Sequence, residues 1–394
     1  MPRIDKLVSM FAVIVAVLSV WWADNVQAQS APTPVCPSQG IQPRPANFQP
    51  GGIVLTTFDR DSIWVYEIEQ DTRYPLPETV PCTRNCRPSP NGLWLTRMDS
   101  ENGFTFTKMR FDGTQRTPLV DGATDVRWWD ENTLLVWTPD HRAYLVPEVD
   151  ANTAPRDYLD VSNVVAVQPG GRHALTVRQD ETGVFVRILE NLELRGLNGV
   201  AGVRSVLLGE DISYYNGAAW SPSGTWLAYV ATGTFDDSIG TYGSELFGIR
   251  PGDAAPTQWT DLHSAYGATR INGHTLGDLS WSPDGTTVAF WVTELIGSNP
   301  LADTGNATIH TYNIQSGELR AYCAYSTIEH TPNPPRLAWS PDSTHIAFGG
   351  NIPGDDQGYL LLALNTAEGT YTQLSAGIYP ALGMPDVIGW GQRP

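Results

Sequence analysis

The chain has 394 residues, 41% of them hydrophobic and 17% charged, with 37 Gly, 30 Pro, 14 Trp and 15 Tyr. That is enough apolar material for a sizeable core, and the abundance of turn formers and aromatic residues points to many short strands. With 24 Lys+Arg against 42 Asp+Glu the formal charge is −18, which excludes a nucleic-acid or anionic-lipid binder held by electrostatics.

Residues 1–28 stand apart. Arg3 and Lys6 precede the apolar stretch Leu7–Trp22, and Val26-Gln-Ala28 offers small residues for cleavage after Ala28. This order of features is that of a secretory signal peptide. The alternative is an uncleaved membrane anchor, because the apolar stretch is almost long enough to span a bilayer. Cleavage removes Arg3 and Lys6 but also Asp5 and Asp24, so the charge stays at −18 and Lys108 becomes the sole lysine. Residues 29–51 hold six prolines (Pro32, Pro34, Pro37, Pro43, Pro45 and Pro50) and few large apolar residues, as an extended linker or tail does. With an uncleaved anchor it would serve as a stalk.

The four cysteines are Cys36, Cys82, Cys86 and Cys323. An even count in an exported chain favours disulfides. Three pairings are open. The favoured one closes a small loop through Cys82–Cys86 and ties the tail down through Cys36–Cys323. A zinc site is not expected, since one close Cys pair occurs with no His pair at ligand spacing.

From residue 52 onward a phrase recurs: Trp220-Ser-Pro-Ser-Gly-Thr-Trp-Leu-Ala-Tyr, Trp281-Ser-Pro-Asp-Gly-Thr-Thr-Val-Ala-Phe and Trp339-Ser-Pro-Asp-Ser-Thr-His-Ile-Ala-Phe. Pro with Asp, Ser and Gly makes a tight turn, and the flanks alternate apolar and polar, so each copy is a β-hairpin. Weaker copies begin at Pro88, Trp128 and Val167, and Asp386–Trp390 supplies the first strand of one more. Each hairpin is followed by a strand, a polar turn and a strand: Ile63–Leu76, Phe104–Leu119, Tyr144–Leu159, Val184–Leu197, Glu245–Trp259, Thr308–Tyr322 and Tyr359–Leu374. The expected fold over 52–394 is therefore all-β, a seven-bladed β-propeller of four-stranded antiparallel blades, with six blades as the alternative. The C-terminal strand 387–390 lacks a partner and Ile53–Phe58 lacks a predecessor, so their pairing closes the ring and leaves no free edge around it.

The phrase Trp281-Ser-Pro-Asp-Gly, with Ser244-Glu-Leu-Phe-Gly-Ile-Arg-Pro-Gly-Asp253 as the second element, resembles the WD40-like repeat of the TolB family. The resemblance covers about residues 52–394. It implies a periplasmic or extracellular propeller that binds other proteins. The same repeat occurs in peptidase propellers and polysaccharide lyases, so it fixes fold and not activity.

No Gly-x-Ser-x-Gly, Walker loop or His-Glu-x-x-His is present, and no cofactor is expected. Long segments gather on one face, here called the upper face, where the innermost strands begin. They are 231–243, 261–275, 293–306, 324–335 and 349–358, all in blades 5 to 7. They carry Asp236, Asp237, Glu294, Asp303, Asp355, Asp356, His263, Tyr266, Arg270, His274, Glu329 and His330 as candidate ligand-binding residues. The expected function is a monomeric, non-enzymatic binding protein whose partner is a protein or peptide in the cell envelope or outside the cell. The alternative is a polysaccharide lyase or glycoside hydrolase working at the channel mouth. The recurring Trp220, Trp281, Trp339 and Trp390 are expected to pack between blades, Asp284 and Asp342 to bond their own turns, and His173 and His345 to be exposed strand residues.

Overall fold

The computed structural model describes residues 31–393 except 59–61, 77–85, 100–104, 121, 140–141, 148–155, 161–163, 192–204, 212–216, 233–242, 272–278, 298–302, 329–333, 352–358 and 376–384. The signal segment thus lies outside the described residues, and no described helix is long and apolar enough to cross a membrane.

Hydrogen bonding sorts the described strands into seven sheets, each built on an antiparallel four-strand meander. Blade 1 runs Asp386–Gly391, Ile53–Phe58, Ser62–Glu67 and Thr72–Pro75; blade 2 runs Arg87–Pro88, Trp94–Asp99, Thr105–Arg110 and Thr117–Val120. Blade 3 comprises Asp125–Trp128, Thr133–Trp137, Arg142–Pro147 and Arg156–Asp160; blade 4 comprises Val164–Val167, His173–Gln179, Phe185–Asn191 and Val206–Glu210. Blade 5 is Ala218–Trp220, Leu227–Ala231, Glu245–Ile249 and Thr257–Gln258. Blade 6 is Ser280–Trp281, Thr287–Leu295, Thr304–Asn313 and Glu318–Thr327, and blade 7 is Ala338–Trp339, His345–Asn351, Tyr359–Asn365 and Tyr371–Ser375. The fourth strand of blade 4 begins at Val206, later than the Val184–Leu197 unit read from the sequence.

Among the described residues there is no single central core. Seven apolar clusters each fill the wedge between two neighbours: blades 1/2, 2/3, 3/4, 4/5, 5/6, 6/7 and 7/1. Each blade is therefore buried on both faces, which is why its strands are nearly continuous runs such as Leu360–Leu364. A count of six would require merging two sheets that no ladder joins among the described residues.

The hairpin phrase has a shared mechanism. The serine after the tryptophan accepts a hydrogen bond from a backbone N–H where the return strand begins: Ser221 from Trp226, Ser282 from Thr287 and Ser340 from His345, at 3.0, 3.0 and 2.9 Å. The aspartate caps the same turn, with Asp284 Oδ1 accepting from Ser282 Oγ at 2.6 Å and from Thr286 N at 2.9 Å. Burial pushes the Asp284 carboxyl up, but these bonds outweigh it and its pKa falls below the ordinary value. Gly285 takes φ +70°; in the blade 7 copy Ser343 occupies that position at φ +61°, a left-handed conformation that disfavours a side chain.

The tryptophans stitch one blade to the next. The indole N–H groups of Trp128, Trp281 and Trp339 donate to Arg87 O, Ala219 O and Ser280 O on the preceding innermost strand, at 3.0, 3.0 and 2.9 Å.

Residues 31–51 of the segment 29–51, expected as a linker, are extended over two short strands but not free. Thr33–Val35 lies parallel on the outer edge of blade 6 and Ile41–Pro43 on that of blade 7. Pro34 and Pro43 are tolerated because an outermost strand needs only one side of its backbone bonded. Cys36–Cys323 joins tail and blade 6 between these two strands. Cys86 is also disulfide-bonded; Cys82 lies outside the described residues. His345, expected to be exposed, is buried instead because Phe48 of the tail packs edge-on against its ring, with centroids 5.4 Å apart.

Candidate functional site

Blade 6 and the connection that enters it carry the described part of the candidate site. Its second to fourth strands have 9, 10 and 10 residues, against 4 to 7 in the corresponding strands of blades 1, 2, 3 and 7. Both ends of the segment read as a loop over 293–306, residues 293–295 and 304–306, are strand, since the ladder continues to Leu295↔Thr304. The blade therefore rises above the ring on the upper face.

The connection from blade 5 to blade 6 buttresses this extension. A short helix, Leu262–Tyr266, is held by Glu245, which is almost fully buried at the upper end of a blade 5 strand. Its carboxylate accepts from Leu262 N, His263 N and Thr260 Oγ1 at 2.9, 2.9 and 2.6 Å. Burial raises the Glu245 pKa and these bonds oppose the rise. Thr269–Ile271 then adds to the protruding end of Thr287–Leu295, with Thr269 facing Glu294.

At the tip of the helix, Tyr266 Oη donates to His310 Nε2 at 3.0 Å, and His310 Nδ1 lies 3.2 Å from Thr308 O. The pair fits a neutral imidazole that donates through Nδ1 and accepts through Nε2. His310 is 1% exposed and stacked on Phe290, and burial lowers its pKa to about 4.

Five of the sequence candidates fall on this structure. Tyr266 and Glu294 are exposed, His263 and Asp303 half-buried. Glu294 accepts from Asn306 N at 3.1 Å, and Ile296 N donates to Asp303 O at 2.9 Å, which turns the chain at the tip. Arg270 is a correction: it is 0% exposed within the added strand and so cannot meet a surface ligand. Asp236, Asp237, Asp355, Asp356, His274, Glu329 and His330 lie outside the described residues. Composition missed Ile296 and Ile328, which are 70 and 58% exposed and, with Tyr266 at 45%, give the tip an apolar part.

A second feature was also missed. The upper ends of the innermost strands carry Arg87, Asp125, Arg127, Arg336 and Asp386. Arg336 Nε bonds Asp386 Oδ2 at 2.8 Å, Arg127 Nε bonds Asp125 Oδ2 at 2.9 Å, and Arg87 Nη2 reaches both Asp125 oxygens at 3.2 and 3.3 Å. The available signal was a charge three or four residues before the recurring tryptophan, as in Asp125-Val-Arg-Trp128, Arg336-Leu-Ala-Trp339 and Asp386-Val-Ile-Gly-Trp390. A separate groove of about 280 Å³ on the lower face, between blades 4 and 5, is lined by His173, Leu189, Val206 and Pro251 and holds none of the candidates.

No protein-family model and no curated protein matches the sequence. Solved structures do. The tricorn protease is 10% identical, with a TM-score of 0.51 over 89% of this chain and 34% of its own, so this chain spans about a third of that protein. An oligogalacturonate lyase from Vibrio parahaemolyticus is 12% identical, with a TM-score of 0.51 over 83% of this chain and 86% of its own. The fold is that of a β-propeller. Solved TolB proteins are also among the similar structures; the one from Agrobacterium tumefaciens is 14% identical at a TM-score of 0.42, covering 83% of this chain and 91% of its own. At these identities the likeness is one of fold and does not assign an activity.

Proposed function

We propose that this protein is an exported binding propeller that receives a protein or peptide partner on the upper rim of blades 5 to 7. The observation that carries this reading is the raised blade 6. Elongated strands, a docked helix and an added strand together build a firm ridge, and the ridge ends in exposed Tyr266, Ile296 and Ile328 beside Glu294 and Asp303. Clustered exposed apolar side chains rimmed by charge are a recognition feature. The flanking segments add Asp236, Asp237, Asp355, Asp356, Glu329 and His330 by sequence, so the partner is expected to be basic with an apolar anchor. Disulfide-bonded Cys36, Cys323 and Cys86 fit an oxidising compartment.

The test compares wild-type protein with an Ile296→Asp/Ile328→Asp variant as baits in envelope extract, beside an assay of both on acidic polysaccharides. A partner retained by wild type and lost by the variant is the expected outcome. Polysaccharide cleavage by wild type would replace this reading with the enzymatic one. Equal capture by both baits would move the interface off the ridge.

A further inference from the structure

The charge of the molecule is −18, yet the described residues at the upper mouth of its central channel are locally positive. Among them three guanidinium groups meet two carboxylates, a surplus of one positive charge. Two of the three are well matched. Arg336 grips Asp386 through Nε and Nη2, with its own backbone N–H 3.1 Å from Oδ1. Arg127 bonds Asp125 through Nε and Val165 O through Nη1, the latter at 2.8 Å. Arg87 is left with the remainder of Asp125, reached through Nη2 alone. A guanidinium has five N–H donors. Those on Nη1 make no described hydrogen bond, and Nε is buried with no acceptor. Burial, followed by the neighbouring charges of Arg127 and Arg336, lowers the Arg87 pKa, the response of a cation short of counter-charge.

We infer that the upper mouth of the central channel is a binding site for a compact oxyanion, a carboxylate or phosphate group, with Arg87 as its principal donor and Arg127 and Arg336 flanking it. The incoming oxyanion supplies the acceptor that Arg87 lacks and neutralises the local surplus. The low-dielectric walls of the channel strengthen that attraction, and the acidic exterior confines it to the mouth. Arg127 and Arg336 are held by protein carboxylates and carbonyls, so they act mainly through charge. The site is independent of the blade 6 ridge and stands whether or not a protein docks there.

The experiment is calorimetric titration of the full propeller, residues 29–394, with citrate and, separately, inorganic phosphate at low ionic strength. Arg87→Gln, Arg87→Lys and Arg110→Gln are run in parallel. Arg110 stacks on Trp94, 3.8 Å from the ring centroid at the lower end of blade 2, and serves as the control. Wild type is expected to bind at least one anion, with affinity falling as salt rises. Arg87→Gln is expected to weaken binding about tenfold or more, the loss of one charge-assisted hydrogen bond, while Arg110→Gln leaves it unchanged. Arg87→Lys, which keeps the charge without the planar fork, is expected to fall between them and carries the test if Arg87→Gln does not fold. Binding of citrate alone assigns the planar carboxylate, and binding of phosphate alone the tetrahedral ion. Absence of binding by wild type, or Arg87 variants that bind as tightly as wild type, overturns the inference.

Discussion

Trp281 and Trp339 each anchor a blade to its predecessor through an indole N–H, whereas Trp220 occupies the same slot with its Nε1 buried and without an acceptor. Replacing the indole by a phenyl ring removes volume in all three but breaks an inter-blade hydrogen bond only in the first two. Trp281→Phe and Trp339→Phe are therefore expected to destabilise by about 2–4 kcal/mol, and Trp220→Phe by about 1 kcal/mol less. Urea unfolding of the three variants checks this; equal losses would show that packing alone sets the cost. His310 gives a pH-dependent expectation. Its folded pKa of about 4 is below the ordinary 6.5, so the folded state favours the neutral ring. The stability this contributes is present above pH 6.5 and is lost as pH falls towards 4, on the order of 3 kcal/mol in all. The difference in unfolding free energy between wild type and His310→Gln, followed from pH 7 to 4, should shrink across that window. A constant difference would mean that His310 is not held neutral. The recurring tryptophans were legible because they sit at one position of a repeated phrase. His310 was not, because its partners, Tyr266 and Phe290, belong to separate segments that only the fold brings together.

At the scale of elements, the hairpins were legible for a local reason: turn residues and alternation specify them within ten residues. The tail strands were not. Thr33–Val35 and Ile41–Pro43 owe their conformation to partners near residues 320 and 372, and their prolines argue for a linker when read locally. The elongated strands of blade 6 were hidden for a related reason. Polar tips such as Glu294, Asp303 and Asn306 look like loop composition, while the ladder that holds them needs Thr269–Ile271 from the blade 5 connection. Fraying of the tail is therefore the expected weakness of the outer edge. Thr33–Val35 offers few buried side chains, so Cys36–Cys323 is its main restraint, while Phe48 fixes the segment further on. A Cys36→Ser/Cys323→Ser variant should show faster amide exchange and earlier proteolysis over residues 31–43 while the blades stay protected. Unchanged exchange in the tail would mean that the parallel pairing suffices without the covalent tie.

For the whole molecule, the decisive contact is the seam. Blade 1 is completed by Asp386–Gly391 pairing with Ile53–Phe58, so the two ends of the repeat array are held in one sheet and no blade can leave without opening the ring. The chain passes close to its neighbour at Gly391. A Cβ there would lie 2.0 Å from Gly92 O in the blade 2 turn and 2.6 Å from the ring of Phe111, and neither partner is the end of a flexible side chain. Gly391→Ala must therefore separate the innermost strand of blade 1 from blade 2, next to buried Trp390 and Ile388. The expected cost is about 2–4 kcal/mol, in the range of severe overpacking. Because the strained strand is also the one that closes the ring, the loss should appear as a lower urea midpoint for the entire transition, followed equally by tryptophan fluorescence and by the strand signal in circular dichroism. A variant that loses only part of its signal early, with the remainder melting at the wild-type midpoint, would show that the blades fold in separate groups and that the seam does not couple them. Gly389→Ala is the matched comparison. That glycine lies in the same strand and, like Gly391, has no positive φ, but a Cβ there comes no nearer than 3.3 Å, to the Pro88 side chain. The excess of Gly391→Ala over Gly389→Ala then measures what the close approach between blades 1 and 2 costs when it is forced apart.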